Sequence, residues 1–344
     1  PGFSAAEVLF DDNKKVKGVA TGDMGVSRDG SAKDSWESGM ELHAKYTLFS
    51  EGTRGSLSKF LIENFNLSEN SDYQKYAIGL KELWEINEEN FDDGLVEHSM
   101  GWPLSDETKG GSFLYHFDKN LVSIGYVIHL NYTNPYVSPF DEFQQFKTHP
   151  SVKKVLKGGK RISYGARAIT TGGYQSVPKL YFPGGAIIGC SAGFLNYPKI
   201  KGTHNAMESG MLAAEAIIDN YISNNQKNDL TNYQEKYENS RIAKELKRVR
   251  NIKPYQARYG VLVGTLFSGL DMWLSTFGIT LPFTLGHNKP DHKTLRKASE
   301  CNEIEYQKPD GKFSFDKLSS VFLSNTNHEE DQPSHLTLKD SLIP

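Results

Sequence analysis

The stretch that decides the fold runs from residue 181 to residue 219 and reads YFPGGAIIGCSAGFLNYPKIKGTHNAMESGMLAAEAIID. Its apolar run, residues 186–188, follows the turn dipeptide Gly184-Gly185, and a loop of small residues, 189–193, comes directly after it. An apolar run between glycines is typical of a buried strand that enters a tight turn. This part of the stretch therefore predicts a strand and the loop that follows it.

A helix is predicted to begin just after Gly202, with Thr203 as a good N-cap. The small residues Gly210, Ala213 and Ala214 would let this helix lie close to a sheet. Apolar and small residues recur along one side with the helical period. They are Ala206, Met207, Gly210, Met211, Ala214, Ile217 and Ile218.

A glycine loop and a helix N-terminus thus stand a few residues apart. Both present unpaired N–H groups and the positive end of a dipole. An extended anionic cofactor with a polar ring fits such a pair. The alternative is an ordinary strand–loop–helix unit of an α/β sheet, because glycine-rich turns of this kind are common.

Longer motifs resemble one family. The chain resembles electron transfer flavoprotein–ubiquinone oxidoreductases in several segments, which occur in the same order as in that family. Among these segments are GCSAGFLNYPKIKGTHNAMESGMLAAE, ELHAKYTLFSEGTRGSL, GWPLSDETKGGSFLYH and GGKRISYGARAI. The resemblance covers nearly the whole chain. It implies an FAD-dependent oxidoreductase that takes electrons from reduced electron transfer flavoprotein and passes them through a 4Fe–4S cluster and FAD to ubiquinone.

The resemblance also implies site residues. Glu51 and Gly52 would lie near the FAD pyrophosphate, and His204 would either face the flavin ring or cap and pack. Cys190 stands where related flavoproteins often carry Asp, and no base near it in sequence indicates a nucleophile. The remaining flavin-contacting residues are expected to be Gly189, Gly193, Gly202 and Thr203.

Gly110 and Gly111 precede an apolar run and by themselves indicate a turn. In the family this pair contacts the quinone head group through backbone atoms. A quinone carbonyl needs a donor, and side chains would block the approach of the ring. Lys109 stands where the family commonly has Tyr, which alters the polarity at this position.

The composition agrees with one or two globular domains: 344 residues, 38% hydrophobic and 24% charged. A net charge of −3 argues against nucleic-acid binding. The two cysteines, Cys190 and Cys301, form no disulfide framework or metal motif, which favours a reducing compartment.

The first 65 residues predict strands and turns, with a hairpin from residues 6–10 and 17–21 and a surface loop over residues 24–35. A strand at 46–50 should lead through a loop into a helix that carries Leu57 and Leu61.

The middle of the chain changes character. Aromatic and β-branched runs at residues 76–86, 112–117 and 121–130 predict an antiparallel sheet. Two short helices are expected, one capped by Ser138 and one over residues 151–156.

Residues 259–283, YGVLVGTLFSGLDMWLSTFGITLPF, are the most apolar stretch. Asp271 and several glycines argue against a spanning helix, so we expect an apolar element lying in one leaflet. A basic cluster from Arg241 to Lys253 would meet anionic head groups. The alternative is a buried core helix. The family uses this stretch as the membrane surface through which ubiquinone enters.

The chain begins at Pro1 without a signal peptide, and we expect it to start inside a domain. The GxGxxG segment that would seat the ADP half of FAD is absent, and so are the cysteine ligands of a 4Fe–4S cluster. Residues 312–315 predict a short strand in an otherwise irregular C-terminal part.

The expected fold class is α/β plus α+β: an incomplete FAD-binding domain of the glutathione-reductase and hydroxylase type, with an antiparallel-sheet quinone-binding domain. The expected divisions are 1–65 and 171–225 for the FAD-binding parts, 66–170 for the ubiquinone-binding sheet, 226–290 for a helical membrane-contacting part, and 291–344 for a linker to an iron–sulfur domain. The expected location is monotopic, on the inner membrane. Alternative functions are a related FAD-dependent lipid or isoprenoid reductase and a non-catalytic membrane-binding module.

Overall fold

A computed structural model describes residues 2–223 and 229–336 of the chain. The predicted domain boundary at residues 225–226 and the end of the predicted linker, residues 337–344, lie outside the described residues. The strands are β1 (Ala5–Phe10), β2 (Val16–Thr21), β3 (Met24–Val26), β4 (Ala32–Glu37), β5 (Glu41–His43), β6 (Thr47–Phe49), β7 (Tyr76–Glu85), β8 (Val96–Met100), β9 (Gly110–Phe117), β10 (Leu121–His129), β11 (Lys160–Thr170), β12 (Tyr181–Phe182) and β13 (Gly185–Ile187). The helices are α1 (Ser56–Asn64), α2 (Pro139–Phe146), α3 (Pro150–Leu156), α4 (Thr203–Ile222), α5 (Thr231–Asn239), α6 (Arg241–Arg248), α7 (Ile252–Thr276) and α8 (Lys317–Phe322).

The N-terminal strands form hairpins. β1, β2 and β5 make an antiparallel sheet, and the predicted hairpin turn lies between β1 and β2. The surface loop predicted for residues 24–35 is wrong, because β3 and β4 pair antiparallel across this region. The Gly, Asp and Ser residues of this region form the turn between β3 and β4, where the Ser27 N–H donates to the Ser31 carbonyl at 2.8 Å.

The first hydrophobic core lies around the parallel pair β6 and β13, which α1, α4, α5 and α6 cover. α4 presents a different face from the apolar stripe noted in the sequence. Its buried residues are Asn205, Ser209, Ala213, Ala216 and Asn220, whereas Met207 and Met211 are 67% and 63% exposed. The small and amide side chains face inward because they allow a close approach and bond to neighbouring backbone.

The second core belongs to a five-stranded antiparallel sheet in the order β11-β7-β10-β9-β8, which confirms the predicted sheet. α2 and α3 pack on it, with Trp84, Tyr126 and Phe143 fully buried between the layers. The predicted cap of α2 is present: Ser138 Oγ accepts the Asp141 N–H. Gly110 and Gly111 begin β9, so the local indication of a turn at this pair is wrong.

α7 is two helical pieces joined at Gly260, whose φ of 76° lies outside the helical region. The second piece folds back on the first so closely that a Cβ at Gly264 would lie 2.5 Å from the Gln256 Cα. Its outer side is apolar and exposed: Leu262 is 82% exposed and Leu266 is 74% exposed. This excludes the alternative of a buried core helix. Within residues 2–223 and 229–336, none of the helices combines the length and the apolar character that crossing a membrane requires.

The C-terminal part, from residue 287 onward, runs over the second sheet and contains α8. The strand predicted for residues 312–315 is wrong. The Asp310 carboxylate accepts the N–H groups of Lys312, Phe313 and Ser314, which holds this segment in a turn.

Candidate functional site

Two parallel strands bring the predicted site loops to one edge. β6 and β13 pair in register, with Ile187 opposite Phe49. The loop 51–55 follows β6 and the loop 189–193 follows β13, so both leave from the carboxyl ends of neighbouring parallel strands. This is the edge of an α/β sheet at which ligands usually bind.

A hydrogen bond joins the two loops directly. Ser191 Oγ donates to the Gly52 carbonyl oxygen at 3.0 Å. Gly52 has a φ of +80°, a conformation that favours glycine. The structure therefore brings the predicted residue Gly52 next to the loop that carries the predicted residues Gly189, Cys190 and Gly193.

The Glu51 carboxylate is directed at the start of α1. It accepts the N–H groups of Leu57 at 3.3 Å and Ser58 at 2.5 Å, and the Ser58 hydroxyl at 2.6 Å. An anionic group at a helix N-terminus stabilises the helix dipole. Glu51 thus caps α1, and its predicted place beside a pyrophosphate stays a prediction.

The loop 189–193 packs on the first turns of α4. The Gly189 N–H donates to Ser209 Oγ at 2.9 Å, so this amide is already satisfied within the protein. Asn205 Nδ2 donates to the Phe194 carbonyl at 2.9 Å. Gly193 has a φ of +85°, and a Cβ there would lie 2.4 Å from Gln74 Nε2.

The N-terminus of α4 lies open beside this loop. The predicted N-cap role of Thr203 is wrong, because Gly202 occupies the cap position and forms no side-chain cap bond. Thr203 is the first helical residue and is exposed. The first-turn N–H groups of a helix have no partner within it, and here the buried Asn205 Oδ1 also lacks one.

His204 turns toward α6. Its Nε2 lies 3.1 Å from Glu245 Oε1, which also accepts Asn196 Nδ2 at 2.6 Å. Burial alone would raise the pKa of Glu245, but these hydrogen bonds lower it. The His204 ring thus contacts the Glu245 carboxylate in this structure, which is the arrangement expected if His204 caps and packs.

Cys190 lies at the centre of the loop as a free thiol. Burial raises the pKa of this thiol, so it is neutral near pH 7. A neutral thiol is a poor nucleophile, which agrees with the absence of a predicted nucleophilic role.

A cavity of about 620 Å³ opens beside the joined loops. Its wall includes Gly52 and Ser191 from the loops, and Gln74, Tyr76 and Thr170 from the end of the second sheet. The space between the two layers is therefore bordered by both predicted site loops.

Gly110 and Gly111 lie inside the sheet with strands on both sides. A Cβ at Gly110 would lie 2.5 Å from the Val127 carbonyl oxygen, and one at Gly111 would lie 2.7 Å from the Ser99 carbonyl oxygen. Close backbone packing therefore requires glycine at both positions. Their predicted contact with a quinone stays a prediction.

A buried polar group that sequence reasoning missed lies next to this pair. Lys253 Nζ contacts His129 Nδ1 at 2.8 Å and also donates to Thr171 Oγ1. Burial lowers the pKa of Lys253 to about 7. The His129 N–H donates to the Lys109 carbonyl at 2.9 Å, which links the group to the start of β9.

No local sequence signal indicates this group, because its three members, His129, Thr171 and Lys253, are separated from one another by 42 to 124 residues in the chain. The prediction that the basic residues from Arg241 to Lys253 meet lipid head groups is wrong for two of them, because Lys253 and Arg250 are buried. Tyr197, which lies between the 189–193 loop and α4, stacks edge-on against His129 with ring centroids 5.2 Å apart.

The residues present in this chain could form part of an FAD-binding site. The open α4 N-terminus, the unpartnered Asn205 Oδ1 and the glycine loops suit a polar ring at the edge of β6 and β13. A 4Fe–4S cluster needs cysteine thiolates, and the two cysteines of this chain cannot supply four ligands. Among the residues that the structure describes, no cluster of His, Cys, Asp or Glu could hold a metal ion.

Two family models match the chain. The model described as "ETF-QO, ubiquinone-binding" matches residues 76–169, which is the five-stranded sheet with α2 and α3. The model described as "Electron transfer flavoprotein-ubiquinone oxidoreductase, 4Fe-4S" matches residues 311–344. The predicted linker, 291–344, thus overlaps the residues that this second family model matches.

Curated relatives match from end to end of this chain. An electron transfer flavoprotein–ubiquinone oxidoreductase of Pseudomonas aeruginosa is 53% identical over 346 residues, which is all of this chain and 62% of that protein. The mitochondrial human protein of the same name is 53% identical over 352 residues and is covered to 57%. The chain therefore spans about 60% of the length of the relatives it matches.

Among solved structures, a geranylgeranyl bacteriochlorophyll reductase-like protein from Thermoplasma acidophilum has a TM-score of 0.57 and 17% identity. The similarity covers 78% of this chain and 60% of that one. At this identity it shows the fold alone, and it agrees with the predicted combination of an FAD-binding layer and an antiparallel sheet.

Proposed function

The chain belongs to the electron transfer flavoprotein–ubiquinone oxidoreductase family, and from this premise we propose that the protein containing it is an FAD-dependent oxidoreductase. It accepts electrons from reduced electron transfer flavoprotein and delivers them through a 4Fe–4S cluster and FAD to ubiquinone. The observation that carries the flavin assignment is the convergence of the loops 51–55 and 189–193 at the open N-terminus of α4.

The flavin supplies electron transfer between carriers when it is bound. This chain's residues would hold and orient it: the backbone of Cys190, Gly193 and Gly202 would line the loop edge, and the first-turn N–H groups from Thr203 onward would donate to its polar ring. The Gly189 amide contributes indirectly, because its bond to Ser209 Oγ fixes the loop on α4.

Ubiquinone is proposed to bind at the sheet end that carries Gly110 and Gly111. The family model for ubiquinone binding spans this strand. The buried Lys253–His129 pair lies one residue from the β10 partner of Gly110. Polar side chains thus lie between Tyr197, which is near the proposed flavin loop, and β9, which carries the proposed quinone contact, and this supports the proposal.

The outer side of α7 is proposed to lie in one membrane leaflet. Its exposed residues recur three or four positions apart, which produces one continuous apolar side. They are Leu262, Leu266, Leu270, Trp273 and Phe277, and Tyr259, on the first piece, packs against Phe267 with ring centroids 5.2 Å apart. An apolar side of this size on a water-exposed helix is typical of interfacial membrane binding. We infer that the protein is monotopic on the inner membrane, on the bacterial cytoplasmic or mitochondrial matrix face.

The flavin assignment can be tested at Thr203. Thr203→Ala in the complete enzyme leaves the fold intact, because this side chain is exposed and forms no cap bond. The Thr203 hydroxyl is exposed at the helix N-terminus that is proposed to face the flavin, so its removal takes away one hydrogen-bond donor there, and we expect a shift of the flavin reduction potential, measured by spectroelectrochemistry. Thr231→Ala, at the first residue of α5, is the matched control. An unchanged potential in the Thr203 variant would remove this residue from the flavin site.

The alternative of a lipid or isoprenoid reductase is not favoured. The curated relatives at 50–53% identity all carry the quinone oxidoreductase name, whereas the reductase-like structure shares only the fold. A non-catalytic membrane module would be distinguished by absorbance, since the complete enzyme is expected to be yellow and flavin-loaded.

A further inference from the structure

A second cavity, of about 520 Å³, lies at the base of α7. Its wall includes residues from the ends of β7 and β9, the first piece of α7 and the segment 286–296. The basic residues that line it outnumber the acidic ones, Asp106 and Glu107. They are Lys75, Lys109, Lys253, Arg258, Lys289 and Arg296.

Two of these cations are neutralised within the protein. Lys75 Nζ lies 3.0 Å from Asp291 Oδ1, and Arg296 Nη2 lies 2.7 Å from Glu107 Oε2. Of the two acidic residues in the wall, Glu107 is therefore already paired with a cation. The remaining positive charge of the cavity therefore comes from other side chains.

Three cations of the wall form no ion pair with a carboxylate in the described part of the chain. None of the ion pairs found in residues 2–223 and 229–336 includes Lys109, Arg258 or Lys289. Among the described residues, Lys109 Nζ donates to the Asp106 carbonyl, with the Asp106 and Glu107 carboxylates near enough to favour its charged form, and Arg258 Nη2 makes two long contacts, of 3.4 and 3.5 Å, to Gly286 and Asn288. These donors are available to an anionic ligand.

The cavity also borders the apolar side of α7. Gly260, at the join of the two helical pieces, belongs to its wall, and Arg258 precedes it by two residues. Tyr259 is 50% exposed and Leu262 is 82% exposed at this point. A ligand with a charged head in the cavity would therefore have its apolar part beside these residues.

We propose that this cavity binds the phosphate-containing head group of an anionic phospholipid, with Lys109, Arg258 and Lys289 as the donors. Guanidinium and ammonium groups form charge-assisted hydrogen bonds with phosphate oxygens. The acyl chains of the same lipid lie along the outer side of α7. The inference rests on the proposed membrane contact of α7, and it adds a lipid-selective site to that surface.

The test uses vesicle binding by the complete protein. Co-sedimentation is measured with phosphatidylcholine vesicles and with vesicles that contain about 30% phosphatidylglycerol, an anionic lipid. The variant is R258Q/K289Q, in which both side chains are exposed, so folding is retained. We expect it to lose about 30-fold of the affinity for the anionic vesicles, since each of the two basic residues near the surface contributes about fivefold.

The matched control is K157Q/K160Q, which removes the same charge from exposed positions. Lys160 pairs with Glu85 at the far end of β7, whereas Lys75 precedes the start of this strand, so the two sites are roughly 30 Å apart. We expect this control to retain the preference for anionic vesicles. Equal losses in both variants would overturn the site, because they would indicate bulk charge alone.

A second measurement does not depend on the membrane. The lysines are acetylated chemically in the presence of one of three compounds: soluble glycerophosphoglycerol, inorganic phosphate or a tail-less ubiquinone analogue. Mass spectrometry then measures how far each compound protects each lysine from acetylation. We expect glycerophosphoglycerol to protect Lys109 and Lys289 but not Lys157. Equal protection by inorganic phosphate would overturn the lipid assignment, and protection by the quinone analogue alone would assign the cavity to the quinone.

The two measurements separate failure of this inference from failure of the membrane proposal. If the unaltered protein binds neither type of vesicle, the proposed membrane surface fails, while head-group protection still supports or overturns the cavity. If it binds both types equally and no head-group protection is seen, the inference fails and the membrane surface stands.

Discussion

Ser191 Oγ lies 3.0 Å from the Gly52 carbonyl oxygen, and this hydrogen bond joins loops that are 139 residues apart in the chain. One loop follows β6 and the other follows β13, so the bond closes the edge of the parallel pair at which the flavin is proposed to bind. It holds two backbone segments in one arrangement before any cofactor arrives.

Ser191→Ala removes this bond. We expect the unfolding free energy to fall by about 1 kcal/mol, the usual contribution of one such bond, and the complete enzyme to retain less FAD after dialysis. Urea unfolding and the flavin absorbance per protein measure the two effects. Ser71→Ala, which removes an exposed bond to Ser68, is the control and should retain FAD fully. Equal FAD retention in both variants would show that the bond does not support the site.

The fold-back of α7 depends on Gly264. Gly264→Ala would place a Cβ 2.5 Å from the Gln256 Cα, so we expect destabilisation of about 1–3 kcal/mol from overpacking. Gly269→Ala is the matched control, because a Cβ there has no neighbour within 4 Å. It should be neutral or stabilise the helix by up to about 1 kcal/mol. Thermal unfolding of both variants checks the sign, and a neutral Gly264 variant would argue against the close packing of the two pieces.

Burial of Lys253 makes stability depend on pH. Its pKa falls from 10.5 to about 7 on folding. Between these values the unfolded chain binds more protons than the folded one, so the unfolding free energy rises with pH, by up to about 1.4 kcal/mol per unit. Below the folded pKa the lysine is charged in both states and this contribution is lost.

We expect Lys253→Met to lose that rise between about pH 7 and pH 9. Urea unfolding at several pH values compares it with the unaltered protein and with Lys244→Met, an exposed control. Parallel curves for the Lys253 variant and the unaltered protein would contradict the prediction.

A buried ion cluster holds the second sheet. Glu82 Oε1 lies 2.8 Å from Lys147 Nζ and 3.1 Å from Arg161 Nη1, and all three side chains are almost fully buried. Glu82→Gln would leave two buried cations without a carboxylate, and we expect a loss of about 3–5 kcal/mol. Glu85→Gln, exposed on the same strand, should stay within about 0.5 kcal/mol of the unaltered protein. Chemical denaturation compares them, and similar midpoints would show that the cluster adds nothing.

The outer side of α7 can be tested with charge. Leu266→Asp together with Phe267→Asp places two carboxylates on exposed positions, 74% and 44% exposed, so the fold is retained. We expect loss of binding to phosphatidylcholine vesicles, since burying these charges in a leaflet is costly. Leu318→Asp with Phe322→Asp on α8, both 82% exposed, is the control for apolar surface elsewhere. Unaltered binding of the α7 variant would place the membrane contact on another surface.

Much of the fold follows from local patterns in the chain. The runs at residues 76–86 and 121–130 form the centre of the five-stranded sheet, as predicted. Burial alternates partly along β7, whereas residues 124–129 of β10 are all buried. The hairpin of β3 and β4 was missed because its turn residues dominate the composition of that region. The strand expected at residues 312–315 fails because the Asp310 side chain competes for the backbone N–H groups.

The candidate site was predictable as two loops but not as a pocket with defined partners. Helical periodicity identified the apolar stripe of α4, yet the residues that face inward are Asn205, Ser209 and Ala213. Periodicity reports which residues share a side of a helix, and it does not report which side the sheet needs. His204 and Glu245, or Lys253 and His129, meet only because distant elements pack together.

By itself, then, the sequence predicted the β1–β2 hairpin, the central strands of the five-stranded sheet, the two glycine loops of the candidate site and the family, because these depend on residues near one another in the chain. The tertiary structure alone decided which side of α4 is buried, that α7 folds back at Gly260 with its apolar side exposed, and that Lys253 is buried against His129. Those outcomes depend on contacts between segments tens to hundreds of residues apart, whose free energies no local pattern contains.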